Sequence, residues 1–321
     1  MSTGASGTSN YEYVNARVRA RRAALFDDED YRKLLRMGPG EIARFMEESE
    51  YEAEVNALGT RYDGVDLIEY SLNRNLAKHF NDLLDWSGGD LYALIARYLR
   101  KFDAWNVKTV VRGIYADADR EDVQSDLIRA GEFDDAFLDR LTEAGSIEDV
   151  VELLDGTIFG EPVDEAYEDY ETSGLLVPLE NAVDRAFYEE LMKGVTESQN
   201  RALQLYVEFL QAEIDFRNVR NALRISRSGA DIDPSEYFIE GGRLFGASEI
   251  AQLAGNTDEL VARIRDSTYG NDLGDALDQL ERADSLIGFE HALDAALLEY
   301  SDHLSYAFPL SVCPVLAYVL A

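Results

Sequence analysis

The side chains that could do metal or acid–base chemistry are few and scattered along this chain. The histidines are His79, His291 and His303, and no His-Glu-x-x-His motif occurs. Glu299 and His303 stand four residues apart, so on a helix they would share a face and could bind a metal ion. An ordinary polar pair on a helix surface explains the same spacing, and we favour that interpretation. We therefore predict no catalytic, metal or cofactor site.

Other reactive patterns are equally weak. Gly38-Pro39-Gly40 precedes a helical pattern, but proline removes one of the backbone N–H groups that a phosphate-binding loop needs. Cys313 is the only cysteine, which excludes a disulfide within the chain. In a chain with 63 Asp and Glu residues, chance carboxylate pairs carry no information about an acid–base dyad. An enzyme would need a pocket joining a histidine to two carboxylates, and the sequence does not predict one.

Basic side chains form three clusters that could bind an acidic partner. The cluster residues we predict for such an interface are Arg17, Arg21, Arg97, Lys101, Arg112, Arg220 and Arg224. The alternative is that these cations pair with carboxylates of the same chain and compensate helix C-termini. Both alternatives stay open at the level of the sequence.

Each basic cluster surrounds an Asn-x-Arg/Lys motif, at Asn15, Asn106 and Asn218. The last two motifs lie in a segment that occurs twice, about 110 residues apart, as 98–160 and 208–270. Phe159-Gly160 closes the first copy and Tyr269-Gly270 closes the second. A repeat of this length predicts a protein assembled from copies of one unit. We expect each asparagine amide to form a buried hydrogen bond between helices.

The elements that position these motifs are helices. Apolar residues recur at helical spacing, and no alternating run long enough for a sheet stands out, so the fold class is all-α. The predicted helices span 67–85, 91–115, 179–191 and 201–226, and a further one begins over 275–286. Asp90 is expected to cap the second helix, and the recurring glycines after each long hairpin are expected at helix C-caps and tight corners.

Three similar helical units follow from this pattern. The predicted organisation is a flexible tail at 1–10, a first short-helix set at 11–66, a repeat unit at 67–175, a second at 176–274, and a third hairpin at 275–321. The last hairpin stops inside an apolar pattern before its own Asn-x-Arg/Lys motif. The expectation is a chain truncated at its C-terminus.

Charge narrows the classes of partner. The net charge is −33, which disfavours nucleic acid and an anionic membrane surface. Of the 30 basic residues only five are lysine, and the acids are spread among apolar residues at helical spacing. This composition favours adaptation to a salt-rich cytoplasm over the alternative of an acidic interaction tail. The first ten residues lack the apolar core of a secretory signal.

The stretch 304–321 carries no charge over 18 residues. A membrane span is one interpretation, but the stretch is at the short limit and contains Pro309 and Pro314. A core helix buried on all sides is the interpretation we favour.

Several segments together resemble a known family. They are YVNARVRARRAALFDDEDYRKLLRMG, EIARFMEESEYEAEV, YLRKFDAWNVKTVVRG, FRNVRNALR and PLSVCPVLAYVLA, with LAKHF at 76–80. They cover nearly the whole chain and resemble the C subunit of A-type ATP synthases, which is similar to the d subunit of V-type ATPases. The acidity and arginine bias suit a haloarchaeal member.

The resemblance implies a specific fold and role. It implies three helical units around a pseudo-threefold axis, forming a funnel on the cytoplasmic face of the cell membrane. The funnel would sit on the rotor ring of proteolipid subunits and receive stalk subunits D and F. The chain would transmit torque as a peripheral subunit without an active site, cofactor, nucleic acid or small-molecule substrate. The alternative function is a free-standing helical scaffold that binds other cytoplasmic proteins.

Overall fold

A computed structural model describes residues 8–195, 200–228, 234–253, 255–270, 277–279, 282 and 286–321. Within these ranges the regular structure is helical and no strand occurs, which confirms the all-α prediction. The chain divides into two compact units, Met1–Val183 and Asp184–Ala321. The three-unit division stays a prediction.

The first unit contains short helices followed by a long hairpin and further short helices. The helices are α1 Tyr11–Arg22, α2 Asp28–Leu34, α3 Pro39–Glu47, α4 Glu52–Leu58, α5 Gly64–Trp86, α6 Gly89–Leu99, α7 Lys101–Tyr115, α8 Arg120–Ser125, α9 Asp135–Glu143, α10 Ile147–Leu153 and α11 Gly160–Ser173. The unit boundary falls within α12, Val177–Met192.

The first core lies where α3, α4 and α5 meet. Ala43 and Met46 of α3, Val55 of α4 and Leu67 of α5 are buried together. Ala43 and Met46 are three residues apart, so they occupy one face of α3. Phe26 packs against this cluster from the segment before α2.

The corner between α5 and α6 is held by the chain's first described residues. Asn10 Nδ2 donates to the Trp86 carbonyl at 2.7 Å, and Asn10 Oδ1 accepts from the Gly88 N–H at 3.0 Å. The Leu91 N–H donates to Ser9 Oγ at 3.4 Å. The N-cap residue of α6 is Gly88, which has no side chain to cap the helix. The prediction that Asp90 caps this helix was wrong. Asp90 lies in the first turn, where its negative charge interacts favourably with the positive end of the helix dipole.

The predicted helix over 91–115 is two helices. The first ends at Leu99 and the second begins at Lys101, with Arg100 as a turn residue between them. The other long predictions were confirmed: 67–85 lies within α5 and 179–191 within α12. The predicted start at 275–286 falls mostly outside the described residues.

The second unit is built around one long helix. Its elements are α13 Arg201–Ser228, a 3₁₀ turn Pro234–Tyr237, α14 Ala247–Leu253, α15 Thr257–Arg265, α16 Leu286–Ala307 and α17 Cys313–Leu320. The predicted helix 201–226 lies within α13, which packs against both α16 and α17.

The uncharged stretch 304–321 is divided between the end of α16, a turn and α17. Every residue from Cys313 to Val319 is buried, which confirms the buried-helix interpretation for this part of the stretch. The break after Ala307 is consistent with Pro309, which cannot donate a helical hydrogen bond. None of the described helices combines the length and apolar character needed to cross a membrane.

Candidate functional site

The repeated asparagine forms a two-way hydrogen bond with the backbone of a loop. Asn106 on α7 accepts from the Ile128 N–H at 2.9 Å and donates to the Ile128 carbonyl at 2.8 Å. Asn218 on α13 accepts from the Ile239 N–H and donates to its carbonyl, both at 2.8 Å. The side chain thus substitutes for a backbone partner that the loop residue would otherwise lack. For Asn106 and Asn218 our prediction of a bond between helices was wrong, because the partner of each is a loop residue.

An aspartate three residues earlier holds the same loop at a second point. Asp103 accepts from the Glu132 N–H at 2.7 Å and the Phe133 N–H at 3.0 Å. Asp215 accepts from the Arg243 N–H at 3.0 Å and the Leu244 N–H at 3.1 Å. Residues three apart share a helix face, so both side chains reach the same loop. We call this arrangement of two side chains and a loop the Asp-x-x-Asn joint.

The two aspartates were not predicted from the sequence, although their spacing gave a signal. Asp103 stands three residues before Asn106, and Asp215 three residues before Asn218, so the spacing is the same in the two copies. Because the chain contains so many carboxylates, this shared spacing did not stand out. Asp103 and Asp215 differ from the surface carboxylates in being at most 2% exposed.

Glycine permits the close approach of loop and carboxylate in both joints. A Cβ at Gly131 would lie 2.0 Å from Asp103 Oδ1, and a Cβ at Gly242 would lie 2.3 Å from Asp215 Oδ1. Such distances are sterically impossible for any residue with a side chain. Gly131 is among the glycines predicted at helix caps or corners. Glycine is required at this position because the Asp103 carboxylate occupies the space that a side chain would need.

The two joints differ in a hydroxyl contact to the aspartate. Burial raises the pKa of Asp103 to about 6, and the two backbone N–H bonds counteract only part of that shift. Burial also raises the pKa of Asp215, but Tyr269 Oη donates to Asp215 at 3.0 Å and favours its charged form. The residue that corresponds to Tyr269 in the first copy is Phe159, which has no hydroxyl.

The N-terminal motif lacks this second contact. Asn15 is buried on α1, as Asn106 and Asn218 are on their helices. The residue three positions earlier is Glu12, which is exposed. A buried aspartate is therefore a property of the other two copies.

The predicted interface cations of the first unit interact with their own chain. Arg21 forms an ion pair with Asp82 and lies over the Trp86 ring, and Arg17 also lies over that ring at 4.7 Å. Cation–π contacts of this kind hold an arginine against the helix surface.

On α6 and α7 the cations are similarly engaged. Arg112 Nε lies 2.6 Å from Glu180 Oε1, and Lys101 Nζ donates to Tyr98 Oη at 3.1 Å. Arg97 is half-buried on α6.

In the second unit, Arg220 pairs with Asp294 and Arg224 pairs with Glu290, whose pKa is lowered by the Arg224 hydrogen bond. Four of the seven predicted residues, Arg21, Arg112, Arg220 and Arg224, thus form ion pairs within the chain. These four residues therefore pair within the chain, as the alternative interpretation predicted. Whether the predicted interface residues bind a partner stays a prediction.

The candidates for metal or phosphate chemistry do not converge. No group of three or more histidine, cysteine, aspartate or glutamate residues in the described ranges is placed to hold a metal ion. Glu299 and His303 both lie on α16. Burial and the nearby Arg21 lower the pKa of His79 to about 4, so it is neutral at pH 7. The Gly38 N–H donates to Glu41 at 3.0 Å, so this glycine serves the start of α3.

The fold and the joints define an all-helical repeat protein whose repeated feature is structural. Residues 14–321 match the family model described as "ATP synthase (C/AC39) subunit". The chain belongs to this family of ATP synthase subunits.

Curated relatives agree along the full length of the chain. It is 69% identical to the A-type ATP synthase C subunit of Haloferax volcanii, over 100% of this chain and 91% of the relative. It is 62% identical to the A-type ATP synthase C subunit of Halobacterium salinarum, over 99% and 91%. A relative of the same description from Methanococcoides burtonii is 35% identical, over 98% and 86%. The haloarchaeal relatives fit the interpretation of the acidic composition as an adaptation to salt.

Proposed function

We propose that this chain is the non-catalytic adaptor of an A-type ATP synthase, joining stalk subunits D and F to the membrane rotor ring. It would lie on the cytoplasmic face of the membrane as three units around a pseudo-threefold axis. It would transmit torque between ion flow through the ring and ATP synthesis or hydrolysis elsewhere in the complex. The observation that carries this proposal is 69% identity along the whole chain to an A-type ATP synthase C subunit.

The Asp-x-x-Asn joints support a mechanical role. A torque adaptor must resist bending where its helices meet its short-helix loops. The first joint fixes its loop by four hydrogen bonds to buried side chains, two of them to a carboxylate. With about 1 kcal/mol for a neutral bond and more for a charged one, opening a joint costs about 4 kcal/mol or more. Repetition of the joint in both units would spread this stiffness along the chain.

The basic residues form a candidate binding surface for the stalk. Arg17, Arg21, Arg97, Lys101, Arg112, Arg220 and Arg224 remain our proposed interface. Arg112 and Arg224 keep 47% of their side chains exposed while paired, so a partner carboxylate has access to each guanidinium. A half-exposed ion pair is worth at most about 1 kcal/mol and can exchange partners at small cost.

Size-exclusion chromatography with a purified D–F pair tests the proposal. At the molar salt of a haloarchaeal cytoplasm we expect the chain and the pair to elute together. Replacing Arg97, Lys101 and Arg112 by glutamine should weaken co-elution and leave the melting temperature nearly unchanged. Separate elution of the wild-type chain contradicts the adaptor role and favours the free-standing scaffold, which would also fail to purify with membranes that contain the ring.

A further inference from the structure

A further basic surface lies at the C-terminal end of α2. We call it the α2 tip and define it by Tyr31, Arg32, Leu35 and Arg36. Leu35 is 85% exposed and Tyr31 is 58% exposed, which places both among the most exposed large apolar residues of the described chain. The segment 31–37 contains three cations and no acid, in a chain of net charge −33.

Three acids at the N-terminal end of α2 have partners nearby in the chain: Asp27, Glu29 and Asp30. Asp27 accepts from the Glu29 and Asp30 N–H groups and caps the helix, and Asp30 returns a bond to the Asp27 N–H. Lys33 pairs with Glu29 and Asp30. Arg36 forms no ion pair with any side chain that the structure describes. The tip therefore presents exposed arginines beside exposed apolar side chains.

The tip is held rigidly. The Tyr31 ring contacts Phe26 edge-on with centroids 6.5 Å apart. Phe26 packs against the first core and also contacts the rings of Phe45 and Tyr51. The Leu35 N–H donates to the Tyr31 carbonyl at 3.0 Å, so both side chains lie on one side of the helix. A preformed surface loses little conformational entropy when a partner binds.

We infer that the α2 tip binds an acidic, amphipathic helical segment of another subunit of the ATP synthase. The apolar side of the segment would cover Tyr31 and Leu35, and its carboxylates would contact Arg32 and Arg36. This inference rests on the proposed function, since it takes the partner from the same complex.

Charge complementarity identifies the occupant. In molar salt the Debye length is about 3 Å, so only carboxylates in direct contact with the arginines contribute. The apolar contact would supply affinity and the ion pairs would select the partner. An anionic membrane fits less well, because two apolar side chains bury far less area than a single myristoyl chain, which itself gives only marginal membrane binding.

Photo-cross-linking in the assembled complex tests the inference. The chain, tagged and carrying p-benzoylphenylalanine in place of Leu35, is expressed in Haloferax volcanii, and the ATP synthase is purified and irradiated. We expect mass spectrometry to find a cross-linked peptide from another subunit with carboxylates and apolar residues at helical spacing. Cross-links only to lipid, only within this chain, or to no molecule overturn the inference.

Charge reversal supplies the matched comparison. Arg32→Glu with Arg36→Glu should lower the cross-linking yield about fivefold, which corresponds to roughly 1 kcal/mol. Arg74→Glu, which changes an exposed arginine of α5, should leave the yield unchanged. Equal yields in both variants contradict the charge contacts. If the tagged wild-type chain is not retained with the ATP synthase, the proposed function itself fails; if it is retained and the cross-link is absent, only the α2-tip inference fails.

Discussion

Asp103 and Asp215 show how one buried residue can behave differently in two copies of the same joint. Each accepts two backbone N–H bonds, but only Asp215 receives a hydroxyl, from Tyr269. A donor to the charged form lowers the pKa of a carboxyl group. The first joint is therefore the one that is more sensitive to protonation.

The pKa of Asp103 sets the sign of its effect on stability. A folded pKa of about 6 lies above the unfolded value of 3.8, so the folded state retains the proton more tightly. The contribution of Asp103 to the free energy of unfolding is greatest below pH 4. It falls as pH rises toward 6 and is constant above that, with a total loss of about 3 kcal/mol.

Phe159→Tyr should reduce this loss. The new hydroxyl would donate to Asp103 as Tyr269 does to Asp215, lower the pKa of Asp103 and stabilise the chain above pH 6 by about 1 kcal/mol. Urea unfolding of variant and wild type between pH 4 and 7 measures the difference in their free energies of unfolding. The titration of the other carboxylates is common to both proteins and cancels in this difference. Tyr269→Phe is the reverse control and should destabilise above pH 6. Parallel curves for Phe159→Tyr and wild type would show that the hydroxyl does not reach Asp103.

At the scale of elements, the joints depend on loop segments as much as on helices. Gly131 and Gly242 lie against the aspartates where any side chain would collide. The loop and the helix face are therefore one packed unit, and a change in either displaces the other.

Gly131→Ala should break the two Asp103 hydrogen bonds of the first joint. Its Cβ would displace the Asp103 carboxylate from the Glu132 and Phe133 N–H groups, at a cost of about 3 kcal/mol from overpacking and lost hydrogen bonds. Urea unfolding in molar salt measures the loss. Gly40→Ala is the matched control, because a Cβ at this position of α3 has open space, and it should be neutral or stabilise by up to about 1 kcal/mol. Equal stabilities of the two variants would refute the close-approach requirement.

Periodicity predicted the long helices because their apolar faces extend over several turns. It could not predict the break at Arg100, since the apolar pattern continues from Leu99 to Phe102 without a glycine or proline. It also could not give the Asn106 partner. Ile128 is 22 residues downstream, and a backbone group leaves no trace in residue type. The buried aspartates were predictable only by comparing the two copies of the repeat.

The prediction that Asp90 caps α6 failed for a related reason. Asp90 is the residue type expected near a helix start, but Ser9 and Asn10 hold the corner from about 80 residues away. Local sequence contains no information on such distant partners. The basic clusters illustrate the same point, because the sequence located the cations, but the carboxylates that pair with four of them come from distant parts of the chain.

For the whole molecule, charge is the dominant property. The net charge of −33 acts against the compact state by self-repulsion, and salt screens this repulsion. The Debye length shortens from about 10 Å at 0.1 M to about 3 Å at 1 M, so repulsion between exposed carboxylates farther apart than that is largely screened. The ion pairs of the chain are mostly half-exposed and contribute little by comparison.

Thermal stability should therefore rise steeply with salt. Between 0.1 and 2 M KCl we expect the melting temperature to increase by at least about 10 °C, equivalent to a few kcal/mol for a chain of this size. Circular dichroism at 222 nm measures the transition. Sucrose at matched osmolarity is the control and should give a smaller increase, because it strengthens apolar burial without screening charge. A melting temperature that is independent of KCl, or equal increases in KCl and sucrose, would show that self-repulsion does not limit this fold.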